Sequence, residues 1–84
     1  MIDIEWRRLR NLTAREIINA LIRDGFEFYN QSGSHQRYRH PDGRRVTVTF
    51  HRASETFPIG TLRSMIERQA RWSAEDLQRL KVLR

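Results

Sequence analysis

Two kinds of hydrophobic pattern alternate along the chain, one with helical spacing and one with strand-like spacing. The first helical segment carries an apolar stripe formed by Ile17, Ile18, Leu21 and Ile22. Thr13 and Glu16 have the spacing of a capping box before this stripe, and Gly25 after it can end a helix in the left-handed conformation. The pattern predicts a first helix over about residues 14–24.

The next three segments alternate between apolar and polar residues and predict an antiparallel meander of three strands. The first strand is expected over residues 26–31, with Phe26 and Phe28 pointing inward, and a turn at residues 32–34 leads into the second strand. Matching the inward faces places Tyr38 opposite Phe28. The same register places Glu27 opposite Arg39, Tyr29 opposite Arg37 and Gln31 opposite His35.

The turn at residues 41–43 decides which side chains of the second and third strands share a face. A two-residue Asp-Gly turn would pair His40 with Arg45 and put arginines on the apolar face. A type I turn with proline at its second position and Gly43 as a left-handed bulge residue pairs His40 with Arg44 instead. We predict the second register because it alone gathers the apolar residues Tyr38, Val46, Val48 and Phe50 on one face. The opposite face then carries His35, Arg37, Arg39, Arg45, Thr47 and Thr49.

Two further helices are expected after the strands. The apolar stripe of the second helix, over about residues 61–70, consists of Leu62, Met65, Ile66 and Ala70. Ser73 and Asp76 have the spacing of a second capping box, which predicts a short third helix ending near Leu83. Because only one sheet face is apolar, both main helices should pack on it. The predicted fold is α+β, in the order α-β-β-β-α, with a three-stranded antiparallel sheet and a short C-terminal helix.

The 84 residues predict a single domain, residues 1–84, with a core at residues 12–83 and an N-terminal arm at residues 1–11. In the arm, Ile2, Ile4 and Trp6 alternate with acidic residues at a strand-like period. Two interpretations of the arm stay open: a frayed terminus, or a segment that docks a partner through Trp6.

Charge indicates the class of partner. The chain has 16 Lys and Arg residues against 10 Asp and Glu, for a net charge of +6, and all the basic residues except Lys81 are arginine. Guanidinium groups match the geometry of phosphate, so nucleic acid is expected as a partner before a membrane. An arginine-rich codon bias would explain the choice of arginine over lysine, but not the excess of positive charge.

The remaining composition narrows the function classes. The chain has no cysteine, which excludes disulfides and thiolate metal sites. It has no signal-peptide pattern and no apolar run of membrane-spanning length, so a cytoplasmic protein is expected. The three histidines lack metal-ligand spacing, and we expect neither a metal nor a small-molecule cofactor.

His35 is the candidate for chemistry because the predicted register places it among arginines on the outward face. Imidazole exchanges a proton near neutral pH, and guanidinium groups hold phosphate and stabilise developing charge. RNA carries its own nucleophile, the 2′-hydroxyl, so these groups suffice in principle to cut a strand without a metal. Spacing alone favours the alternative that His35 is a solvated side chain without a role. His40 is expected to be structural, and His51 to be ordinary surface or a second proton shuttle near His35.

Six segments together resemble one family. They are Leu12–Ile18, Asp24-Gly25-Phe26, Gly33-Ser34-His35, His40-Pro41-Asp42-Gly43-Arg44, Val46-Thr47-Val48 and Gly60–Ile66. In this order and spacing, over roughly residues 12–80, the chain resembles the HicA toxins (YcfA-like family) of bacterial type II toxin–antitoxin pairs. Arg71 departs from the family pattern, which often has glycine at the end of the second helix.

The resemblance implies a fold like the double-stranded-RNA-binding domain and an endoribonuclease that cleaves mRNA. It places the catalytic role on His35 and implies a HicB-type antitoxin that covers the active face. Arg37 and Arg39 are then expected to hold phosphate, and Tyr29 to stack a base. Arg45 and Ser34 are expected to contact the RNA as well.

Two other functions compete with the nuclease. A non-catalytic RNA-binding module would use the same fold and charge, and would bind RNA without cutting it. A helix-turn-helix built from the last two helices would bind DNA, but Glu75 and Asp76 at the start of the recognition helix repel phosphate.

Overall fold

The structure is a computed structural model that describes residues 4–83. After a short 3₁₀ helix at Trp6–Leu9, the chain forms α1 (Ala14–Arg23), β1 (Glu27–Ser32), β2 (His35–Arg39), β3 (Arg45–Thr49), α2 (Ile59–Arg63) and α3 (Ala74–Arg79). A π-helical segment, Ser64–Gln69, directly continues α2. This order confirms the predicted α+β fold, α-β-β-β-α with a short C-terminal helix.

The strands form one antiparallel sheet in the order β1-β2-β3, and the helices cover one of its faces. The covered face contributes Tyr38, Val46 and Val48 to the core. The helical layer contributes chiefly Ile17, Leu21, Leu62, Met65, Ile66 and Leu77. Residues that alternate with the buried ones on β2 and β3 point to the other face, which stays open within residues 4–83. We call this the open face.

The β2–β3 hairpin has the predicted register, with His35 opposite Thr49. At the turn, the amide of Gly43 donates to the carbonyl of His40 over 2.9 Å, and Gly43 has a φ of 98°. The amide of His40 in turn donates to the carbonyl of Arg44, also over 2.9 Å. This is the expected type I turn followed by a left-handed glycine, so the apolar pattern selected the correct register.

The β1–β2 register begins as predicted, with Phe28 opposite Tyr38, and then shifts by one residue at a β-bulge. The predictions that Tyr29 lies opposite Arg37 and that Gln31 lies opposite His35 are therefore wrong. The pairs observed beyond the bulge are Asn30–Arg37, Gln31–Gln36 and Ser32–His35.

The bulge reconciles two constraints on β1. Gly33 and Ser34 form a two-residue turn, with a φ of 58° at Gly33, and this turn makes Ser32 the partner of His35. Contact between the rings of Phe28 and Tyr38, with centroids 5.7 Å apart, makes these two residues partners, although Phe28, predicted to point inward, is 52% exposed on the edge strand. The two pairings are one residue out of step, and the extra residue in β1 absorbs the difference.

The N-terminus of α1 is capped twice. Thr13 and Glu16 form the predicted capping box. The loop after β3 also reaches this end, where the amide of Ala14 donates to the carbonyl of Glu55 over 2.8 Å. At the other end, Gly25 has a φ of 101°, as predicted for a left-handed cap.

The second helix differs from its prediction at its start and in its winding, and ends close to the predicted residue 70. It begins at Ile59 rather than near residue 61, and its second half is π-helical. The wider turns bring Gln69 to the free edge of β3, where its amide oxygen accepts the backbone N–H of Thr47 over 2.8 Å. This bond satisfies an edge-strand donor that the sheet leaves unpaired. The predicted apolar stripe is buried as expected.

The segments near the two ends of the chain differ from their predictions more than the sheet and the main helices do. The strand-like alternation in the arm includes Ile2, which lies outside the described residues, and the chain from Trp6 to Leu9 is a 3₁₀ helix rather than a strand. Leu9 is buried in the core, and Trp6 packs against the core and under the guanidinium of Arg63, so this part of the arm is docked. The last helix has its predicted capping box but ends at Arg79 rather than near Leu83.

The residue after the second helix is strained. Arg71 has a φ of 57°, a conformation that costs a residue with a Cβ about 1–2 kcal/mol. Its side chain is exposed. Replacing Arg71 by glycine should therefore raise the free energy of unfolding by about 0.5–1 kcal/mol, after the greater chain entropy of glycine is subtracted. Urea denaturation measures the change, and Arg68→Gly, inside the helix, should destabilise instead.

The carboxylate of Asp24, at the end of α1, binds three side chains from later parts of the chain. Asp24, whose side chain is 7% exposed, accepts a hydrogen bond from the indole N–H of Trp72 over 2.9 Å. It also forms ion pairs with Arg44 (3.1 Å) and Arg79 (2.9 Å). Burial by itself would raise the pKa of Asp24, but the bonds from Trp72 and Arg79 and the charge of Arg44 lower it below its ordinary value.

Candidate functional site

His35 stands on the open face with short neighbours on both sides. It begins β2, the central strand, and its cross-strand partners are Ser32 and Thr49. The next residue, Gln36, lies on the helix-covered side of the sheet, opposite Val48. The side chain of His35 is exposed, and neither hydroxyl neighbour is long enough to cover its ring. The imidazole is therefore accessible to a large ligand from the solvent side.

Two arginines extend the open face away from His35 along the same strand. Arg37 and Arg39 occupy alternate positions, so successive side chains of the row are about 7 Å apart. The guanidinium of Arg37 donates to the side-chain oxygen of Asn30 over 2.9 Å, which holds it toward β1. The guanidinium of Arg39 lies 5.2 Å from the ring centre of Tyr29. Glu27 lies directly opposite Arg39 across the β1–β2 ladder, but within residues 4–83 neither Arg37 nor Arg39 forms an ion pair with a carboxylate.

A third arginine concentrates positive charge on this face. Arg45 lies directly opposite Arg39 across the β2–β3 ladder, an arrangement of like charges that destabilises a sheet. Within residues 4–83, no ion pair includes Arg37, Arg39 or Arg45. Three arginines that form no ion pair, against the single carboxylate of Glu27 opposite Arg39, indicate a surface that binds a polyanion.

The structure brings together five of the six predicted site residues: His35, Arg37, Arg39, Arg45 and Tyr29 share the open face. Tyr29 is the bulge residue and is half-buried, with one side of its ring facing Arg39. Ser34 is separate from this group. It lies in the β1–β2 turn, where its carbonyl accepts the N–H of Phe50 over 3.1 Å.

The other two histidines lie outside the row of cations. The Nε2–H of His40 donates to the carbonyl of Asp24 over 2.8 Å, and its Nδ1 accepts the amide of Asp42 over 3.1 Å. One ring nitrogen thus stabilises the turn and the other ties the hairpin to the end of α1, which agrees with the predicted structural role. His51 follows the end of β3 at Thr49, and its amide donates to the carboxylate of Glu55 over 3.2 Å. Its side chain lines a depression beside the β1–β2 turn.

Sequence reasoning missed several residues around the site. Asn30 orients Arg37, and Gln31 faces Gln36 instead of His35, both because of the bulge. The signal that could have found them is the Gly33-Ser34 pair, which is typical of a two-residue hairpin turn. Among residues 4–83, no three His, Cys, Asp or Glu side chains cluster as metal ligands, and no helix is long and apolar enough to span a membrane.

The geometry agrees with a comparison against protein families. The family model described as the HicA toxin of bacterial toxin–antitoxin pairs matches residues 14–72, more than half of the 84 residues. The chain belongs to the HicA toxin family. The resemblance found in the sequence motifs is thus confirmed, and the protein is a toxin of a toxin–antitoxin system. No curated protein matches the chain.

The family match covers the part of this HicA toxin that carries the candidate site. The matched region runs from the first residue of α1 to Trp72 and includes the whole sheet with its open face. The 3₁₀ helix and α3 lie outside it, although Leu9 and Leu77 from these segments are fully buried in the core. The flanking segments therefore complete the hydrophobic core around the matched region.

Proposed function

We propose that this toxin is an endoribonuclease that cleaves mRNA without a metal, with His35 as the general acid or base. The observation that carries the proposal is the exposed imidazole of His35 in line with Arg37 and Arg39 on the open face. These are the groups that phosphodiester cleavage requires when the substrate supplies the nucleophile.

The proposed reaction is a transesterification within the RNA strand. A ring nitrogen of His35 removes the proton of a ribose 2′-hydroxyl, and the 2′-oxygen attacks the adjacent phosphorus. The bond from phosphorus to the 5′-oxygen of the next nucleotide breaks. This leaves a 2′,3′-cyclic phosphate on one fragment and, after protonation from water or from the imidazolium, a 5′-hydroxyl on the other. No oxidant, reductant or cofactor is needed for this balance.

The arginines supply binding and charge stabilisation in this proposal. Arg37 and Arg39 lie one and two alternate positions from His35, so they can hold the scissile phosphate and its neighbour. Arg45 widens the cationic row toward β3. Tyr29 can stack a base with the side of its ring that Arg39 does not face.

The same surface is suited to inhibition by an acidic protein. Its arginines form no ion pair within residues 4–83, so a partner that brings carboxylates to the open face would gain charge complementarity and block His35. We assign this role to a HicB-type antitoxin, and we place the reaction in the cytoplasm, where mRNA is translated.

Incubating the purified toxin with end-labelled RNA in excess EDTA tests the proposal. We expect discrete products that accumulate with time and are unchanged by the chelator. The competing function, RNA binding without catalysis, has the same cationic face in its favour. It predicts salt-dependent binding with no products, and that result would refute the nuclease.

The contribution of the cationic row can be measured separately. Replacing Arg45 by alanine should weaken RNA binding and reduce the slope of log affinity against log salt by about 0.7, the value for one phosphate contact on a single strand. Arg68→Ala is the matched control, because Arg68 is exposed on the helical layer away from the open face. Equal salt slopes for the wild type and the Arg45 variant would exclude a phosphate contact at this position.

A further inference from the structure

A depression of about 330 Å³ lies at the tip of the sheet, beside the β1–β2 turn that directly precedes His35. It is lined by Gln31, Gly33, Ser34, Gln36, Phe50 and His51. The β-bulge creates this surface, because it moves Gln31 from the side of His35 to a position directly opposite Gln36. Two amide side chains thereby face one another at the mouth of the depression.

The two amides are held in fixed and opposite orientations. The amide oxygen of Gln36 accepts the hydroxyl of Tyr38 over 2.7 Å, so its NH₂ group remains available as a donor. The NH₂ group of Gln31 donates to the carbonyl of Gly33 over 3.0 Å, so its oxygen remains available as an acceptor. Within residues 4–83 no protein group bonds the remaining NH₂ of Gln36 or oxygen of Gln31. A donor and an acceptor positioned in this way match the edge of a nucleobase.

The rest of the lining suits an aromatic ligand. Phe50 is half-buried and His51 is exposed, and both offer ring surface against which a base can stack. Only the small residues Gly33 and Ser34 separate the depression from the open face. A Cβ built at Gly33 would meet no atom within 4 Å, so the space over the turn is free. A strand that passes His35 can therefore place the neighbouring base over the tip of the sheet.

We propose that this depression binds and selects one nucleobase of single-stranded RNA next to the scissile phosphate. Gln31 and Gln36 read the base edge, and Phe50 and His51 hold the ring. The inference deepens the proposed nuclease function and rests on it for the position of the scissile bond. Insertion of a side chain of the antitoxin is the competing use of the same surface.

The first test is a cleavage profile on an RNA pool in which all four bases occur on both sides of every phosphate. Gln36→Glu retains the acceptor for Tyr38 and replaces the free donor by an acceptor, so it should change which base is preferred at one position by at least about tenfold. Gln78→Glu adds the same charge on α3, which Arg79 ties to Asp24 at the other end of the sheet, and should leave the preference unchanged. A uniform loss of cleavage without a change of preference would overturn the inference while leaving the nuclease intact.

The second test does not depend on cleavage. In a His35→Ala background, single abasic sites are scanned through a short RNA and the affinity is measured for each. One position should lose roughly 5- to 150-fold in affinity, the range for one stacked base, and the loss should shrink in Gln36→Glu but not in Gln78→Glu. An equal loss of affinity at abasic sites in Gln36→Glu and Gln78→Glu would overturn the inference. It would also be overturned if Gln36→Glu changed binding of the antitoxin but not of RNA.

Discussion

Replacing His35 by alanine should abolish RNA cleavage and leave the fold intact. General acid–base catalysis contributes about 10²- to 10⁴-fold, so the initial rate should fall by at least two orders of magnitude. The substitution should change stability by less than about 0.5 kcal/mol, because the side chain is exposed and no described group bonds it. RNA affinity should be largely retained, since Arg37 and Arg39 are unchanged.

Initial rates, thermal unfolding and RNA affinity measured on the same preparation separate a catalytic role from a structural one. Ser32→Ala is a suitable neighbour control, because Ser32 pairs with His35 and can neither take nor give the proton at neutral pH. A folded His35→Ala protein that cuts RNA at the wild-type rate would contradict the assignment.

Replacing Asp24 by alanine should destabilise the fold substantially. It would leave the guanidinium of Arg44, only 16% exposed, without its buried counter-ion, and the indole N–H of Trp72 without an acceptor. Breaking a buried ion pair by removing one partner costs about 3–5 kcal/mol. Arg44 retains its ion pair with Asp42 (2.8 Å) and its bond to the carbonyl of Ala70, so we expect a loss at or below the lower end, about 3 kcal/mol at most, in urea denaturation.

The exposed pair Arg63–Glu67 provides the comparison for this change. It has an i,i+4 spacing on the surface, so Glu67→Ala should cost at most about 0.5 kcal/mol. If Asp24→Ala lowers the free energy of unfolding by no more than this, the cluster of Asp24, Arg44, Trp72 and Arg79 does not stabilise the packing of the helices against the 41–43 turn.

The lowered pKa of Asp24 also gives this stability a defined dependence on pH. A carboxyl whose pKa is lower in the folded state stabilises the protein above the pKa of the unfolded chain, and the contribution is lost as pH falls through the folded value. The difference in unfolding free energy between wild type and Asp24→Asn should therefore be constant near neutral pH and decrease in acid. A difference that widens on acidification would contradict the direction of the shift.

Local turn chemistry explains how the β2–β3 hairpin could be predicted. Proline and glycine at fixed positions of the 41–43 turn allow few backbone conformations, and the apolar face selects between the two registers that remain. The open face of β2 and β3 follows directly, which is why His35, Arg37, Arg39 and Arg45 were grouped correctly.

The β1–β2 pairing could not be predicted from either of its signals alone. The Gly33-Ser34 turn and the contact of Phe28 with Tyr38 each specify a register, and these registers differ by one residue. Only when both are required together does the bulge follow, and with it the position of Gln31. The prediction used the apolar face and treated the turn as three residues, so it placed Gln31 on the wrong side of the sheet.

Long-range contacts account for the remaining differences. The π-helical winding delivers Gln69 to Thr47, and the cluster around Asp24 joins residues up to 55 positions apart in the chain. The hydrophobic periodicity of a single segment predicts its own helix or strand, but not contacts between distant segments. The docking of Leu9 in the core is of the same kind, since its pocket is built by later parts of the chain.

The most direct measurement of the central claim uses one RNA substrate prepared twice, with a single 2′-deoxy nucleotide at the cleaved position in the second copy. If His35 activates the ribose hydroxyl, the toxin will cut the first copy to a 2′,3′-cyclic phosphate and will leave the modified linkage intact. Cleavage of the 2′-deoxy linkage at a comparable rate would contradict this mechanism.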